Sequence, residues 1–269
     1  MRMTRSVPVL SALVLALGLS SATVVAADPD APLLQFNGKD LTGFYTYLHD
    51  HKYEDPDGVV QVVDGELRIS GKEWGGVVTK EEYSNYRLIV EFKWGTKTWP
   101  PRVENARDSG ILLHGFGPDD AIGGHWMQSI EYQLIEGGTG DLLVVSKPGG
   151  EPMSLSVEAT KKEDGQWYYE PSGAGELRAF SGGRINWWGR DLDWKDQVGF
   201  RGPKDVEKPL GEWNTVEVVC DGDTIINKLN GQVVNAGVKS SVTKGKLTFQ
   251  SEGAEVVFRK IEILPLATK

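Results

Sequence analysis

Asp-Gly and Asn-Gly pairs at Asn37-Gly38, Asp57-Gly58, Asp64-Gly65, Asp164-Gly165, Asp221-Gly222 and Asn230-Gly231 close short runs of β-branched and aromatic residues along the chain. Such pairs supply the positive φ of tight turns, so they mark hairpins. Between them the pattern predicts strands over Val59–Val63, Glu66–Ser70, Tyr86–Trp94, Gly110–His114, Ser129–Ile135, Thr215–Cys220, Lys246–Gln250 and Val256–Leu264. No segment keeps a helical period over three turns. Many strands without alternating helices imply an all-β fold, a two-sheet antiparallel β-sandwich of the jelly-roll kind, and exclude a parallel α/β architecture. The Gly- and Pro-rich stretches Thr96–Arg107, Gly115–Met127 and Gly182–Lys208 read as long loops, which on a β scaffold are where binding resides.

At the N-terminus Arg2 and Arg5 precede an apolar run from Val7 to Val25 that ends in Ala26 and Ala27. This is the layout of a secretory signal peptide cleaved after Ala27. Pro8, Gly18 and Ser20-Ser21-Ala22-Thr23 dilute the run, which favours cleavage over a retained membrane span. The expectation is a periplasmic or secreted protein with no membrane span after cleavage, whose residues 28–269 form one domain. No fixed-period repeat and no Pro/Ser linker divides that stretch.

The net charge of −9, near −11 once Arg2 and Arg5 are removed, argues against nucleic acid as a partner, because phosphate binding needs a basic surface. The single cysteine, Cys220, cannot form an internal disulfide; in phase with Val216 and Val218 it reads as a buried, inert thiol. No Cys/His set has zinc spacing, and no glycine run forms a phosphate-cradling loop. Oligomeric state is not written in the sequence.

The most informative stretch is Ser129-Ile130-Glu131-Tyr132-Gln133-Leu134-Ile135-Glu136. On a strand Glu131 and Gln133 project from one face, ~7 Å apart at about 3.4 Å per residue. Glu136 points the other way unless a bulge or the strand end returns it. Glu-x-Gln-x-x-Glu resembles the Glu-x-Asp-x-x-Glu strand of laminarinase-type β-glucanases, jelly-roll enzymes that use two carboxylates. Here Gln133 stands at the central position.

Further blocks lie around this strand in a fixed order. Phe36-Asn37-Gly38-Lys39-Asp40-Leu41-Thr42-Gly43 comes first, then Arg107-Asp108-Ser109-Gly110-Ile111-Leu112-Leu113-His114 and Gly140-Asp141. Gly211-Glu212-Trp213-Asn214, Leu229-Asn230-Gly231 and Phe258-Arg259-Lys260-Ile261-Glu262-Ile263 follow. The ordered set, spanning Leu34 to Leu266, resembles the 3-keto-disaccharide hydrolase domain family. That resemblance implies a concanavalin-type β-sandwich, export, and action on sugars oxidised at C3. The family's Asn-Ser-Gly-Ile reads Asp108-Ser109-Gly110-Ile111, and its late Gln-x-His-Gly reads Gln250-Ser251-Glu252-Gly253, which places Glu252 where the family has His.

A C3 carbonyl acidifies the C2 hydrogen and lets the glycosidic oxygen leave C1 by β-elimination, after which water can add back. The route needs a base, an acid for the leaving oxygen and a donor for the enolate. Glu131 is the candidate base, Glu136 or His114 the acid, and Arg259 the oxyanion partner. Gln133, Asp141, Trp126, His125, Glu252 and Arg107 are candidate substrate contacts. Three alternatives stay open: direct two-carboxylate hydrolysis, a non-catalytic, lectin-like carbohydrate-binding module, and a structural envelope protein with no affinity for any sugar. The run Trp187-Trp188-Gly189-Arg190-Asp191-Leu192-Asp193-Trp194-Lys195-Asp196 reads as a loop anchored by its tryptophans, with carboxylates that could also meet a sugar or a divalent cation.

Overall fold

The computed structural model describes residues 31–266; the expected signal peptide, residues 1–27, lies outside them. Among the described residues there is no helix. One sheet has eight strands. Its spatial order is β16 (Gln232–Gly237), β15 (Thr224–Leu229), β14 (Asn214–Asp221), β6 (Tyr86–Thr98), β18 (Ala254–Pro265), β4 (Glu66–Ile69) and β3 (Val60–Val63), with β1 (Leu34–Gln35) also paired to β18. The facing sheet has seven: β13 (Gly183–Ile185), β9 (Leu142–Val145), β8 (Gln128–Ile135), β7 (Asp108–Phe116), β17 (Lys246–Ser251), β5 (Gly75–Thr79) and β2 (Phe44–Leu48). A small third sheet joins β11 (Trp167–Tyr169), β10 (Leu155–Lys161) and β12 (Glu176–Phe180). Every strand pair in the three sheets is antiparallel.

The alternation in the sequence explains the layering. Along β6, Leu88, Val90, Phe92 and Trp94 are buried while Arg87 is exposed and Ile89, Glu91 and Lys93 are partly exposed. The buried set meets Ile111, Leu113, Ile130, Tyr132, Leu134 and Phe249 from the other sheet in one continuous core. Phe249 packs edge-on against Phe258, ring centres 5.5 Å apart, at the seam between the sheets. Burying side chains of this size contributes about 1.5–3 kcal/mol each, which replaces the disulfides the chain lacks. Cys220 is buried and unpaired on β14, facing that core.

The predicted strands are all present. Three stretches expected as loops carry strand at their edges: β6 runs on to Thr98, β7 to Phe116, and Gly183–Ile185 forms edge strand β13. Three residues bounded by Gly182-Gly183 give no readable period, and only pairing with β9 orders them. β7 and β8 are buried on both faces, because loops cover the side of the seven-stranded sheet turned away from the core.

Candidate active site

Register assembles the site on that covered outer face. Leu112 on β7 pairs with Glu131 and Gly110 with Gln133, while Ile111, Tyr132 and Leu134 fill the core. Residues directly opposite share a face, so Glu131 and Gln133 project outward together. On the other side of β7, Thr248 pairs with Leu112, and Gln250 follows on the same face of β17. Gly110 lies between: a Cβ there would run into both Glu131 Oε1 and Gln250 Oε1. The Ser-Gly-Ile motif therefore keeps this position bare so that two polar side chains can converge over the backbone.

Three carboxyl groups meet here. Asp108 opens β7, Glu131 lies at the middle of β8, and Glu252 follows the end of β17. Burial pushes the Asp108 carboxyl well above the usual carboxylate range, against the pull of Arg102 and Arg184. It pushes Glu131 up as well, with the Asp108 charge adding to the effect, and raises Glu252, where Asp108 and Glu131 both contribute. Desolvation and like charge act in the same direction, so the three hold protons at pH values where free carboxyls have lost them.

Their hydrogen bonds divide the labour. Asp108 Oδ1 accepts from Gln133 Nε2 at 2.5 Å, and its Oδ2 lies 3.1 Å from Arg102 Nη2. No donor among the described residues reaches Glu131, although it is only 4% exposed. Donors favour the ionised form and their absence favours the neutral one. Asp108 is thus the first of the pair to ionise and Glu131 the last to give up its proton.

A second tier holds this face in place. Arg184, from β13, donates through Nη2 to Gln133 Oε1 at 3.0 Å and through Nη1 to Asp141 Oδ2 at 2.8 Å. Asp141 also receives Arg190 Nη1 and, at 2.8 Å, the backbone N–H of Trp187. The Arg190 guanidinium lies over the Trp194 ring, 4.0 Å from its centre. Arg102 bonds Asp196 Oδ1 at 2.9 Å, which ties the loop after β6 to the loop after β13. These fully partnered charges fix the Gln133 amide, whose nitrogen must face Asp108 and whose oxygen must face Arg184.

The structure brings Glu131, Gln133, Asp141 and Glu252 together and places the other expected residues elsewhere. Glu136 lies past the end of β8, where the chain turns at Gly137 with φ +74°. Its carboxylate accepts from Arg107 Nη1 at 2.6 Å, Arg107 N at 2.9 Å and Gly199 N at 2.8 Å. Glu136 and Arg107 are therefore a buried structural ion pair, and neither is free to act as an acid or a sugar contact. His114 sits on a β7 bulge, six residues or roughly 20 Å along the strand from Asp108. It packs edge-on against Tyr86, and burial pushes its imidazole down to about 4. Arg259 projects from the eight-stranded sheet, away from the core, where it pairs with Glu91 and stacks on Trp213. That position puts it on the sheet opposite the one that carries the carboxyl cluster.

His125 and Trp126 come from the loop after β7 and reach the ends of β2 and β5, where His125 Nδ1 lies 3.1 Å from His49 Nδ1. Trp126 Nε1 donates to Gly75 O at 2.8 Å, and Trp74 stacks on its ring at 5.6 Å. In the tryptophan-rich loop Trp187 is buried, Asp196 caps the Arg102–Ala106 segment, and Asp191 accepts the N–H of Asp193. Among the described residues no three His, Cys, Asp or Glu side chains are grouped to hold a metal ion.

Asp108, Arg102, Arg184, Arg190 and Gln250 were not singled out by the sequence. The one available signal was Asp108 standing where the resembled motif has Asn, which adds a carboxyl in register with the Glu131 strand.

A concanavalin-type jelly-roll sandwich with polar side chains converging on the outer face of one sheet is the class of protein these features define. The chain belongs to the family of 3-keto-α-glucoside-1,2-lyase-like domains, whose model it matches over residues 33–264, and it is accordingly carbohydrate-active. No curated protein matches it. Among solved structures it is similar to a presumed glycosyl hydrolase from Parabacteroides distasonis ATCC 8503, with 21% identity, TM-score 0.47, and 86% of this chain and 92% of that one covered. It is also similar to a Bacillus licheniformis β-glucanase, with 11% identity, TM-score 0.45, and 87% and 98% covered. A third is the Bacillus subtilis carbohydrate-binding module CBM66, with 9% identity, TM-score 0.43, and 82% and 95% covered.

Proposed function

We propose that this protein is an exported enzyme that cleaves the glycosidic bond of 3-keto-glycosides by elimination and rehydration. The observation that carries the reading is the convergence of Asp108, Glu131 and Glu252, all with raised proton affinity, between the cations Arg102 and Arg184. A pair in which one carboxyl is ionised and the other protonated near neutrality is what proton abstraction at one carbon and proton donation at the next require.

Asp108 is the base. It removes the C2 proton, and the C2–H electron pair forms an enolate with the C3 carbonyl. Arg184, 31% exposed beside Gln133, offers positive charge to the developing oxyanion. The enolate collapses to a C1–C2 double bond and restores the C3 ketone as the C1–O bond breaks. Glu131 gives its proton to the leaving oxygen. Rehydration reverses the roles: ionised Glu131 takes a proton from water as its oxygen bonds C1, and protonated Asp108 returns a proton to C2. The net change is hydrolysis, and both carboxyls end as they began. Glu252 and Gln250 face the same space and bind ring hydroxyls.

The test is an NMR time course of the mature protein with 3-keto-glucosides and their unoxidised parents, beside Glu131→Gln. Turnover of the keto-sugars alone, passing through a 2-hydroxy-glycal, is the expected result. Turnover of the parents would establish direct two-carboxylate hydrolysis instead, and saturable binding without turnover would make the protein a binding module.

A further inference from the structure

Gly110 is flanked by two glutamines in one row across three strands. Gln133 pairs with it from β8. On the other side Thr248 pairs with Leu112 and Phe249 with Ile111, so the next antiparallel step sets Gln250 opposite Gly110. The backbone of Gln250 is fixed from both sides: it pairs with Gly76 on β5, and its carbonyl accepts from Ser109 Oγ at 2.9 Å. Gln250 as a whole is 1% exposed. A Cβ on Gly110 would fall well inside contact distance of both Gln250 Oε1 and Glu131 Oε1. Those two oxygens therefore lie within about 4.5 Å of each other over the bare glycine.

This meeting of oxygens calls for a proton. Gln250 Oε1 is buried, and no donor among the described residues reaches it. Glu131 lacks a donor too, and while its carboxyl is ionised both oxygens are acceptors only. Two acceptors facing each other in a desolvated space repel, and each forfeits the hydrogen bond it had in water. A proton on Glu131 turns the contact into an O–H···O hydrogen bond that satisfies both. The two glutamines thus act in opposite senses. Gln133 presents its nitrogen to Asp108 and favours the ionised carboxylate, whereas Gln250 presents its oxygen to Glu131 and favours the acid. Asp108 of β7, Glu252 after β17 and Arg184 of β13 also act on Glu131, with Arg102 behind Asp108. The two acids raise its proton affinity and Arg184 opposes them, but charge alone gives the proton no direction. An acceptor does.

We infer that Gln250 is the positioning residue of the acid step, its side-chain carbonyl holding the Glu131 proton over Gly110 until the leaving oxygen takes it. This rests on the cleavage reading above. Once the proton has gone, ionised Glu131 faces the same carbonyl dipole, which drives it to take a proton back from water during rehydration. The nitrogen of the Gln250 amide is the end that meets a ring hydroxyl. The first experiment follows the Glu131 carboxyl across pH by carbon NMR of mature protein isotope-labelled at its glutamate carboxyls, the signal being assigned by its loss in Glu131→Gln. Gln250→Met keeps the length of the side chain and removes the acceptor, so the titration midpoint should fall by about one pH unit, with Gln250→Leu giving the same direction. An unchanged midpoint would overturn the inference. A higher one would overturn it as well, by showing that the amide turns its nitrogen toward an ionised Glu131. The second experiment compares kcat/KM for a 3-keto-disaccharide and for a nitrophenyl 3-keto-glucoside, so that contacts to the shared keto-sugar ring cancel. Gln250→Met should cost the disaccharide about tenfold more than the nitrophenyl glycoside, and this gap should vanish in the Glu131→Gln background. Equal losses on the two substrates, or a gap that persists without the Glu131 acid, would refute the assignment. If no 3-keto-glycoside is turned over, the cleavage reading falls, and the carboxyl titration still judges the contact between Gln250 and Glu131.

Discussion

Gln133 donates its side-chain amide to Asp108 Oδ1 at 2.5 Å, across the β7–β8 pair. The position at which the glucanase-type motif carries an acid is occupied by a donor, and the acid stands on the neighbouring strand. Replacing Gln133 with Leu keeps much of the volume, removes the donor from Asp108 and takes from Arg184 one of its two acceptors, leaving Asp141 as the other. The cost in stability should be about 1–3 kcal/mol, the usual penalty for an unpaired buried polar group. Asp108 would then hold its proton more tightly, so the acid limb of the pH–rate profile should move upward. Urea unfolding together with kcat/KM against pH checks both.

Glu131→Gln tests the division between base and acid. The amide keeps the shape and removes the proton, so kcat/KM for a 3-keto-disaccharide should fall by about 10²–10⁴. A 3-keto-glucoside with a nitrophenolate leaving group needs no proton on that oxygen and should lose much less. Equal losses with both substrates would remove Glu131 from the acid role. In the wild type the acid limb should report Asp108 and the basic limb Glu131, both above the ordinary carboxylate range because both are desolvated.

Arg107 and Arg259 both precede or follow motif residues, yet they should behave oppositely. Arg107→Met leaves the buried Glu136 side chain without its ion-pair partner, which should cost about 3–5 kcal/mol. Arg259→Ala removes a surface pair and a stacking contact, so its stability cost should stay within about 1 kcal/mol, with little effect on turnover. Thermal unfolding and activity on the same samples separate the two.

The strands were legible because their cause is local: turn pairs and alternation fix where a chain extends and which side it buries. The pair Glu131 and Gln133 was legible for the same reason, being two positions apart on one strand. Glu136 was not, since the Gly137-Gly138 turn directs it to Arg107 rather than back to the outer face. Arg184 acts through Asp141, 43 residues away along the chain, and Arg102 joins Asp108 on β7 to Asp196, 94 residues beyond Arg102, so no local pattern encodes either set of partners. Arg259 shows the converse: it is exposed beside the buried Phe258, but which sheet carries the site is decided by topology.

Glu207 carries a last prediction because it is buried yet lies outside the proposed chemistry. Its Oε1 accepts from Trp94 Nε1 at 2.6 Å, and its Oε2 meets Thr139 Oγ1 at 2.8 Å. The Thr139 hydroxyl has one proton and also lies 3.0 Å from Ile135 O. When that proton goes to Ile135, Glu207 must itself donate to Thr139, which requires a protonated carboxyl. Burial, assisted by Asp205 and opposed by Arg201, pushes Glu207 up to about 8. The folded protein then binds this proton more tightly than the unfolded chain, so its contribution is fully present below the unfolded value near 4.5 and is lost as pH rises toward 8. Glu207→Gln supplies the same donor and acceptor with no proton to lose. Its stability should match the wild type near pH 4, exceed it by about 1–3 kcal/mol at pH 8, and show a flatter dependence between, as followed by denaturant unfolding across that range. Parallel curves for the two proteins would mean that Glu207 is ionised in the folded state.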